Sequence, residues 1–218
     1  MPATSINLAI VDDHALFRKT LKNYLSEQTD IQVIAHASSI SELLPQLEDM
    51  PADVLLMDLF MPGLEGREAL KAIQMALPEL KVLVLSMNTD MQVASDIMES
   101  GAHGYISKAD EPEGLLQAIR TVAGGRILRN KWFTGALYWE KQNSADPYGG
   151  AADALLNDRE KKFLQLLWEE KSNKEIADEL FLGVRSIEKM RQDLKEKIGA
   201  KSTVGLLKYS INKRIVEV

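Results

Sequence analysis

Cysteine is absent from this chain of 218 residues, which excludes a disulfide framework and any zinc site built on thiolates. No apolar run approaches the length of a membrane span, and the first residues, MPATSINLAIVDD, lack the basic flank of a signal peptide. Aromatic residues make up only 6% of the sequence, yet the hydrophobic fraction is 45%, as in ordinary globular proteins. We therefore expect one or two folded domains that work in a reducing cytoplasm, with no membrane partner.

Acidic and basic residues are unevenly distributed along the chain. The net charge is −6, yet residues 153–218 contain 14 Lys+Arg and 12 Asp+Glu, which leaves 12 basic and 20 acidic residues in 1–152. Residues 184–214 alone contain nine basic residues against three acidic ones. This asymmetry predicts two modules with different partners.

The first 125 residues alternate between short apolar runs and amphipathic stretches. The apolar runs predict β-strands at 6–11, 32–37, 54–57, 81–85 and 104–106. A 3.6-residue periodicity predicts helices near 15–27, 41–49, 66–76, 90–100 and 112–123. This alternation is typical of an α/β domain in which a five-stranded parallel sheet is doubly wound, with helices on both faces. The strand order stays open, and Pro45 is tolerable only if the second helix starts late enough to hold it in the first turn.

We place the first domain at residues 1–125, an interdomain linker at 126–152 and a second domain at 153–218. Within the linker, NKWFTGALYWEKQ predicts a short helix, and QNSADPYGGAAD has the composition of a connecting segment. The second domain is predicted to be small and all-helical, with Asn157 and Asp158 as candidate caps of its first helix. Part of the linker should pack on a domain, because four of its residues are too apolar for a free tether: Trp132, Phe133, Tyr138 and Trp139.

Polar side chains stand at the ends of four predicted strands. In an open parallel sheet, ligands bind at the carboxyl ends of the strands, so these side chains should converge. Taken singly, each has a plainer interpretation as a helix cap, a turn residue or a surface charge. Asp58 is the hardest to explain that way, because MPG already supplies the turn after it. The set comprises Asp12 and Asp13 after the first strand, Asp58 after the third, Ser86 after the fourth and Lys108 beyond the fifth.

This cluster suits the transfer of a phosphoryl group onto Asp58. Carboxylates that lie close together repel one another unless a cation lies among them, and oxygen ligands suit a hard ion, so Mg²⁺ is the expected cofactor. The metal and Lys108 would neutralise the phosphoryl oxygens, and Ser86 could donate to the group once it has arrived. The three histidines share no ligand spacing, so we interpret them as structural or surface residues: His14, His36 and His103.

Four stretches, IVDDH, MDLFMPGLEG, VLVLS and GAHGYISK, resemble in order and spacing the receiver domain of two-component response regulators, which has a flavodoxin-like fold. The resemblance covers residues 5–125 and implies that Asp58 is the phosphoacceptor. It also implies that Asp13 binds Mg²⁺ directly and Asp12 through water, with Asp58 and the Phe60 carbonyl completing the protein's ligands.

The same resemblance implies that Ser86 and Lys108 hold the phosphoryl group. It further implies that Tyr105 is the aromatic residue that swings inward when Ser86 is drawn toward that group. Two positions depart from the family pattern, since Glu65 stands where Asp is more usual and Ala109 where many receivers have Pro. Neither departure touches the acid cluster.

The stretch SNKEIADELFLGVRSIEKMRQDLKEKI has the layout of a helix-turn-helix, with two helices joined by a short turn that contains Gly. In its second helix, apolar residues at offsets 0, 3, 7 and 11 form one stripe for burial: Ile187, Met190, Leu194 and Ile198. A basic helix face is often merely solvated. The surplus charge here falls on one short module that can enter a major groove, which favours DNA binding. The residues expected to face outward are Glu188, Lys189, Arg191, Gln192 and Lys195.

Residues 155–215 resemble the LuxR-type DNA-binding domain of the NarL/FixJ subfamily of response regulators. By this resemblance the base contacts fall on Lys189, Gln192 and Glu188, and the phosphate contacts on Lys174, Arg191, Lys195 and Lys201. In that family the last helix, near 203–213 here, pairs two DNA-binding domains across a two-fold operator. Three residues depart from the pattern, namely Gly183 at the cap of the second helix, Met190, and Asp193, which puts an acid on the reading helix.

The two resemblances together predict a phosphorylation-dependent transcription regulator and not an enzyme. Its expected partners are a sensor histidine kinase, double-stranded promoter DNA and, when phosphorylated or bound to DNA, a second copy of the chain. One alternative is a constitutive DNA-binding protein whose receiver serves mainly for dimerisation. Another is a hydrolase or transferase acting on a small phosphorylated substrate, which would leave the helix-turn-helix unexplained.

Overall fold

The computed structural model describes residues 5–63, 65–143 and 156–216. These described residues divide into two compact units, one within residues 1–89 and 102–123 and the other within residues 90–101 and 124–218. Within the described ranges, none of the helices is both long enough and apolar enough to traverse a bilayer.

The first unit contains a five-stranded, fully parallel sheet with the order β2-β1-β3-β4-β5, which settles the order that the sequence left open. All five predicted strands are present, and their ends differ from the predicted ones by at most one residue. The strands are β1 Ile6–Val11, β2 Ile31–Ala37, β3 Val54–Asp58, β4 Lys81–Ser86 and β5 Gly104–Ser107.

Helices connect and follow the strands. Those of the first unit are α1 Ala15–Ser26, α2 Ile40–Asp49, α3 Gly66–Ala76 and α5 Pro112–Ala123. The helix between α3 and α5 in the sequence is α4 Met91–Glu99, which belongs to the second unit. The chain moves along the sheet in one direction from β1 to β2 and in the other from β2 to β3. Right-handed crossovers therefore place α1 on one face and α2 and α3 on the other, as the predicted doubly wound fold requires.

Strand β3 lies between β1 and β4, and all of its residues are buried. A strand covered on both faces needs apolar side chains at every position, which explains the uninterrupted run from Val54 to Met57. The strand order reverses between β1 and β3, so Asp58 ends at the switch point of the sheet, where a crevice opens. The fold thus delivers a carboxylate to the place where α/β sheets bind ligands.

The position of Pro45 differs from the prediction. Helix α2 begins at Ile40, and the Ser39 hydroxyl caps it by accepting a hydrogen bond from the Glu42 backbone N–H at 3.2 Å. Pro45 therefore lies in the second turn and not in the first. It cannot donate to the Ser41 carbonyl, but both residues are exposed, so water can satisfy that oxygen.

The second unit joins α4 to five helices: α6 Lys131–Asn143, α7 Asp158–Trp168, α8 Asn173–Leu180, α9 Val184–Ile198 and α10 Thr203–Asn212. Helix α6 confirms the helix expected within the linker, and it packs against α4 and α10. Trp132 and Phe133 are buried, so this part of the linker does pack, as its aromatic content predicted. The remainder of the predicted linker, 144–152, lies outside the described residues.

Side-chain caps define the starts of α7 and α8. Asn157 caps α7 and Ser172 caps α8, and each exchanges hydrogen bonds with a glutamate three residues on, Glu160 and Glu175 respectively. Both capping boxes satisfy two backbone N–H groups that a helix start leaves unpaired. The turn that follows α8 is short, and its left-handed residue is Phe181, whose φ is 56°.

Candidate functional site

The carboxyl ends of β1, β3, β4 and β5 form one rim, where several polar side chains are buried, including Ser107 at the end of β5. Asp12 follows β1, and Asp58 and Ser86 end their strands, with relative exposures of 1%, 4% and 0%. Each lies at the end of a strand that is itself buried by its neighbours, so the sheet fixes their backbones. The structure thus brings together the acids that the sequence predicted to converge.

Lys108 links the two buried carboxylates. Its ammonium Nζ lies 2.7 Å from Asp12 Oδ2 and 2.9 Å from Asp58 Oδ2. Burial disfavours the charged ammonium, but hydrogen bonds and opposite charges from both acids more than offset this and raise the pKa of Lys108 above its usual value. The Phe17 ring, 4.6 Å from Nζ to its centroid, adds a cation–π contact. The site therefore keeps a permanent positive charge beside Asp58.

Backbone and side-chain donors hold the carboxylates in place. The His14 backbone N–H donates to Asp12 Oδ1 at 2.8 Å, and the Phe60 N–H lies 3.4 Å from Asp58 Oδ1. The Arg18 guanidinium also donates to the Asp12 carbonyl. The role of the Phe60 carbonyl as a metal ligand stays a prediction.

His14, which the sequence leads us to interpret as a structural or surface residue, is 67% exposed and lies at the acid cluster. Its Nδ1 is 3.0 Å from Asp13 Oδ1, 3.4 Å from Asp12 Oδ1 and 3.7 Å from Asp58 Oδ2. Sequence reasoning also missed Phe17 and Arg18. One signal was available, because the helix that begins directly after the two acids turns its first residues toward them.

The residues at this rim fit a divalent cation. One ligand atom from each of four side chains lies within 4.8 Å of the others: Asp12, Asp13, His14 and Asp58. Asp13 Oδ1 is buried and has no hydrogen-bond partner among the described residues. A buried carboxylate oxygen without a donor is unfavourable, and a bound cation would satisfy it. The buried Asp13 Oδ1, which accepts no hydrogen bond from the described residues, is the structural observation that supports a metal at the site.

Ser86 and Tyr105 are connected through one residue. The Ser86 hydroxyl accepts from the Asn88 N–H at 3.0 Å, and the Tyr105 hydroxyl donates to the Asn88 carbonyl at 3.0 Å. Tyr105 is fully buried, so its ring occupies an inward position in this structure. The Lys108 N–H donates to the Ser86 carbonyl at 2.8 Å, which ties this pair to the acid cluster.

Most residues predicted to contact DNA lie on the surface of the second unit. Helices α8 and α9 pack together through the buried Ile187, Leu194 and Ile198, as predicted, while Met190 is only half-buried. Glu188 and Lys195 are half-buried, and the Glu188 carboxylate accepts from Asn173 at 3.4 Å. The fully exposed members of the predicted set are Lys174, Lys189, Gln192 and Lys201.

Arg191 does not face outward as predicted. Its Nη2 donates to Asn173 Oδ1 at 2.7 Å and to the Gly125 carbonyl at 3.4 Å, and its Nε is buried without a partner among the described residues. Burial lowers the pKa of Arg191 to about 10. Asn173 can lie here because Gly125, with φ of 71°, has no Cβ, which would otherwise stand 2.6 Å from the Asn173 side chain. The buried acceptor on α8 therefore draws the guanidinium inward.

Comparison with known proteins identifies both halves of the chain. The profile of the response regulator receiver domain matches residues 8–120, and that of bacterial regulatory proteins of the luxR family matches residues 154–210. The chain is 34% identical to the oxygen regulatory protein NreC of Staphylococcus aureus over 221 aligned positions, which cover 97% of this chain and 100% of NreC.

Solved structures of RcsB resemble the chain along most of its length. A structure of the RcsB response regulator of Salmonella typhimurium, described in terms of conformational dynamism for DNA interaction, has 26% identity and a TM-score of 0.56, and covers 94% of this chain and 98% of its own. A second structure is of RcsB from Salmonella enterica serovar Typhimurium, bound to the promoter rprA with the phosphomimetic BeF₃⁻. It has 24% identity and a TM-score of 0.54, and covers 94% of this chain and 98% of its own. This second structure shows that the fold is shared.

Proposed function

Because the chain belongs to the response regulators, in which a receiver domain is joined to a luxR-family DNA-binding domain, we propose that Asp58 accepts a phosphoryl group from a sensor histidine kinase and that this controls binding to promoter DNA. One observation carries the proposal. Asp58 is a buried carboxylate at the switch point of the sheet, with a lysine ammonium 2.9 Å from one of its oxygens. On this proposal the chain works in the cytoplasm.

The residues around Asp58 suit in-line transfer. An Asp58 carboxylate oxygen attacks phosphorus while the bond from phosphorus to the kinase imidazole breaks, and the imidazole leaves with its electron pair and takes up a proton. Lys108 stabilises the charge that develops on the phosphoryl oxygens, and the Ser86 hydroxyl donates to one of them. Asp13, Asp58 and the Phe60 carbonyl would hold Mg²⁺ directly and Asp12 through water, and the bound ion would further neutralise those oxygens.

The chain from Ser86 through Asn88 to Tyr105 supports a route for the signal. A phosphoryl group adds a charge of about −1.5 to −2, which draws the Ser86 hydroxyl away from the Asn88 N–H. Because the Asn88 carbonyl accepts from Tyr105, a displacement of residue 88 favours one position of that ring over another. The switch thus acts on the surface that follows β4 and β5.

In the DNA-binding half, the exposed side chains of α9 are suited to reading the major groove. Lys189 and Gln192 would contact base edges, with Glu188 beside them, and Lys174, Lys195 and Lys201 would contact phosphates. Arg191 can join the phosphate contacts only after its guanidinium leaves Asn173 and the Gly125 carbonyl. RcsB structures with promoter DNA make DNA the natural ligand to test, and the two-fold pairing of such domains makes a homodimer the expected binding form.

The proposal is tested with acetyl phosphate and with beryllofluoride, each with Mg²⁺. Asp58→Asn should abolish incorporation of phosphate, measured by intact-protein mass spectrometry, and should remove any change in dimer content, measured by sedimentation. Asp53→Asn is the matched control, with the same substitution just before the other end of β3. It should respond as the wild-type protein does, since Asp53 is exposed. Unchanged dimer content and DNA affinity in the phosphorylated wild-type chain would contradict the switch.

The two alternatives predict different results in the same experiment. A constitutive DNA-binding protein would keep its DNA affinity in the Asp58→Asn variant whether or not the phosphoryl mimic is present. A hydrolase or transferase would convert a small phosphorylated substrate without accumulating a phosphorylated chain. We propose that the chain instead takes up a single phosphoryl group on Asp58, from the kinase or from acetyl phosphate, and that the phosphorylated chain is itself the product.

A further inference from the structure

We propose that His14 is a nitrogen ligand of the metal site, so that the receiver binds divalent first-row transition metals such as Mn²⁺ in preference to Mg²⁺. This inference rests on the site proposed above for Asp58. Its test measures metal binding without phosphorylation, so either proposal can fail while the other stands.

The position of the imidazole supports direct ligation. Ligands that are neighbours around a metal at about 2.1 Å lie about 3 Å apart, and those opposite one another about 4.2 Å. His14 Nδ1 lies 3.0 Å from Asp13 Oδ1 and 3.7 Å from Asp58 Oδ2, the two carboxylates assigned to the ion directly. Both separations fall within the range that ligands of one ion show.

The backbone makes this position available to His14. His14 is the N-cap residue of α1, and its side chain makes no capping hydrogen bond, so the imidazole is not engaged by the helix start. Its backbone N–H is fixed by Asp12 Oδ1 at 2.8 Å, which holds the residue beside the acids. The side chain is 67% exposed, so a metal ion can reach it without a change in the core.

The donor set determines the class of metal. Mg²⁺ takes oxygen ligands and keeps several waters, whereas imidazole nitrogen favours transition metals. A site of carboxylates alone would bind Mg²⁺ and Mn²⁺ by similar contacts. An added imidazole forms a favourable bond to Mn²⁺ but only a weak one to Mg²⁺. His14 should therefore raise the affinity for Mn²⁺ relative to Mg²⁺ without abolishing Mg²⁺ binding.

Pulsed electron paramagnetic resonance of the Mn²⁺-loaded full chain tests the ligand directly. At about pH 8, where a free imidazole is neutral, the wild-type protein should show modulation from a directly bound ¹⁴N nucleus. The modulation should change to that of ¹⁵N when the protein is labelled with ¹⁵N-histidine. His14→Ala should remove it, and His36→Ala should not, because His36 lies on β2 and contacts Lys22.

Calorimetric titration with each metal provides the second measurement. In His14→Ala the Mn²⁺ dissociation constant should rise at least about tenfold, since even the loss of a residue that supports a ligand weakens metal affinity about 10–100-fold. The Mg²⁺ constant should change by less than about twofold, which also shows that the variant is folded. Absence of nitrogen modulation in the wild-type protein, or equal weakening of both metals in the variant, would overturn the proposal.

Discussion

Asp58 and Asp12 are buried acids that share one lysine, and this arrangement explains how the fold tolerates them. Isolated buried carboxylates are strongly unfavourable, whereas each of these has an oxygen within 2.9 Å of the Lys108 ammonium. Asp13 is different, because its buried Oδ1 has no hydrogen-bond partner among the described residues. The site therefore carries one carboxylate oxygen without a hydrogen bond, which we propose serves ligand binding and not stability.

Asp13→Asn should stabilise the metal-free protein and abolish its response to Mg²⁺. Removing the unpaired charge relieves repulsion from the neighbouring acids, and the expected gain is about 1 kcal/mol. Urea unfolding in EDTA and in excess Mg²⁺ measures both effects. Asp53→Asn is the control, because its carboxylate accepts a hydrogen bond from the Asn7 N–H at 2.8 Å and so gains nothing. A less stable Asp13→Asn protein in EDTA would contradict this account.

Tyr105→Phe should keep the fold but weaken the switch. The buried ring remains, and the hydrogen bond to the Asn88 carbonyl is lost, at a cost of about 1 kcal/mol. Phosphorylation by acetyl phosphate should proceed, whereas the change in dimer content on phosphorylation should shrink, as measured by sedimentation. Tyr24→Phe, at a half-buried tyrosine of α1, serves as control. A full response in Tyr105→Phe would exclude the hydroxyl from the route.

Single residues differ in how far the sequence could reveal them. Asp58 was predictable, because a carboxylate that ends a buried apolar strand is costly unless it binds something. His14 was not, since ligand spacing along the sequence misses a residue brought to the acids by the turn between β1 and α1. Helical periodicity predicted that Arg191 faces outward. Periodicity carries no information about the buried Asn173 side chain, whose Oδ1 accepts a hydrogen bond from the Arg191 guanidinium.

At the scale of elements, the pattern of apolar runs predicted every strand to within one residue. Four of the strands are buried along most of their length and so consist of apolar runs, whereas β2 alternates buried and exposed positions. The strand order did not follow from that pattern, since any order of parallel strands buries the same runs. The prediction for Pro45 assumed that a proline beyond the first turn leaves a helix carbonyl without a hydrogen bond. On the exposed face of α2, water can donate to the Ser41 carbonyl in place of the missing N–H.

The capping box of α8 should make the free energy of unfolding of the second unit depend on pH under acidic conditions. Hydrogen bonds from Ser172 and then from Arg126 lower the pKa of Glu175 from 4.5 to about 2. A carboxyl whose pKa is depressed on folding contributes stability that is present above its unfolded pKa, so this contribution should fade as the pH drops from about 4.5 to about 2. Urea unfolding across this range should show a shallower decline in Glu175→Gln.

Carbon NMR titration of the Glu175 carboxyl separates the two causes. Ser172→Ala should raise its pKa more than Arg126→Gln does, because the bond from the Ser172 side chain is the largest single influence and Ala keeps only the backbone bond. If Arg126→Gln had the greater effect, the capping box would not be the main reason for the low pKa.

Helices α4 and α10 are joined by an ion pair between Glu99 and Lys208. Lys208 is 6% exposed and Glu99 is 33% exposed, so the two partners should respond differently to mutation. Glu99→Gln replaces the charged acceptor of a buried ammonium with a neutral one and should cost about 2 kcal/mol. Lys208→Met removes the buried charge and should cost less than about 1 kcal/mol. Equal losses in thermal or urea unfolding would contradict the asymmetry.

At the scale of the whole molecule, the acidic and basic halves have separate tasks, and a phosphoryl group is proposed to connect them. A near-complete switch requires about 5.5 kcal/mol of differential stabilisation between two states. No single contact described above supplies that amount, so the switch must combine the charge at Asp58 with rearranged packing and dimer formation. DNA affinity should therefore respond to both the phosphoryl group and the protein concentration.

A genome-wide map of bound DNA tests this account most directly. It compares the wild-type chain, Asp58→Asn and the Asp53→Asn control, each with and without beryllofluoride and Mg²⁺. The account predicts a set of sites that the mimic strengthens in the wild-type and control proteins and leaves weak in Asp58→Asn. Identical maps for all three proteins, with or without the mimic, would show that the phosphoacceptor does not govern DNA binding.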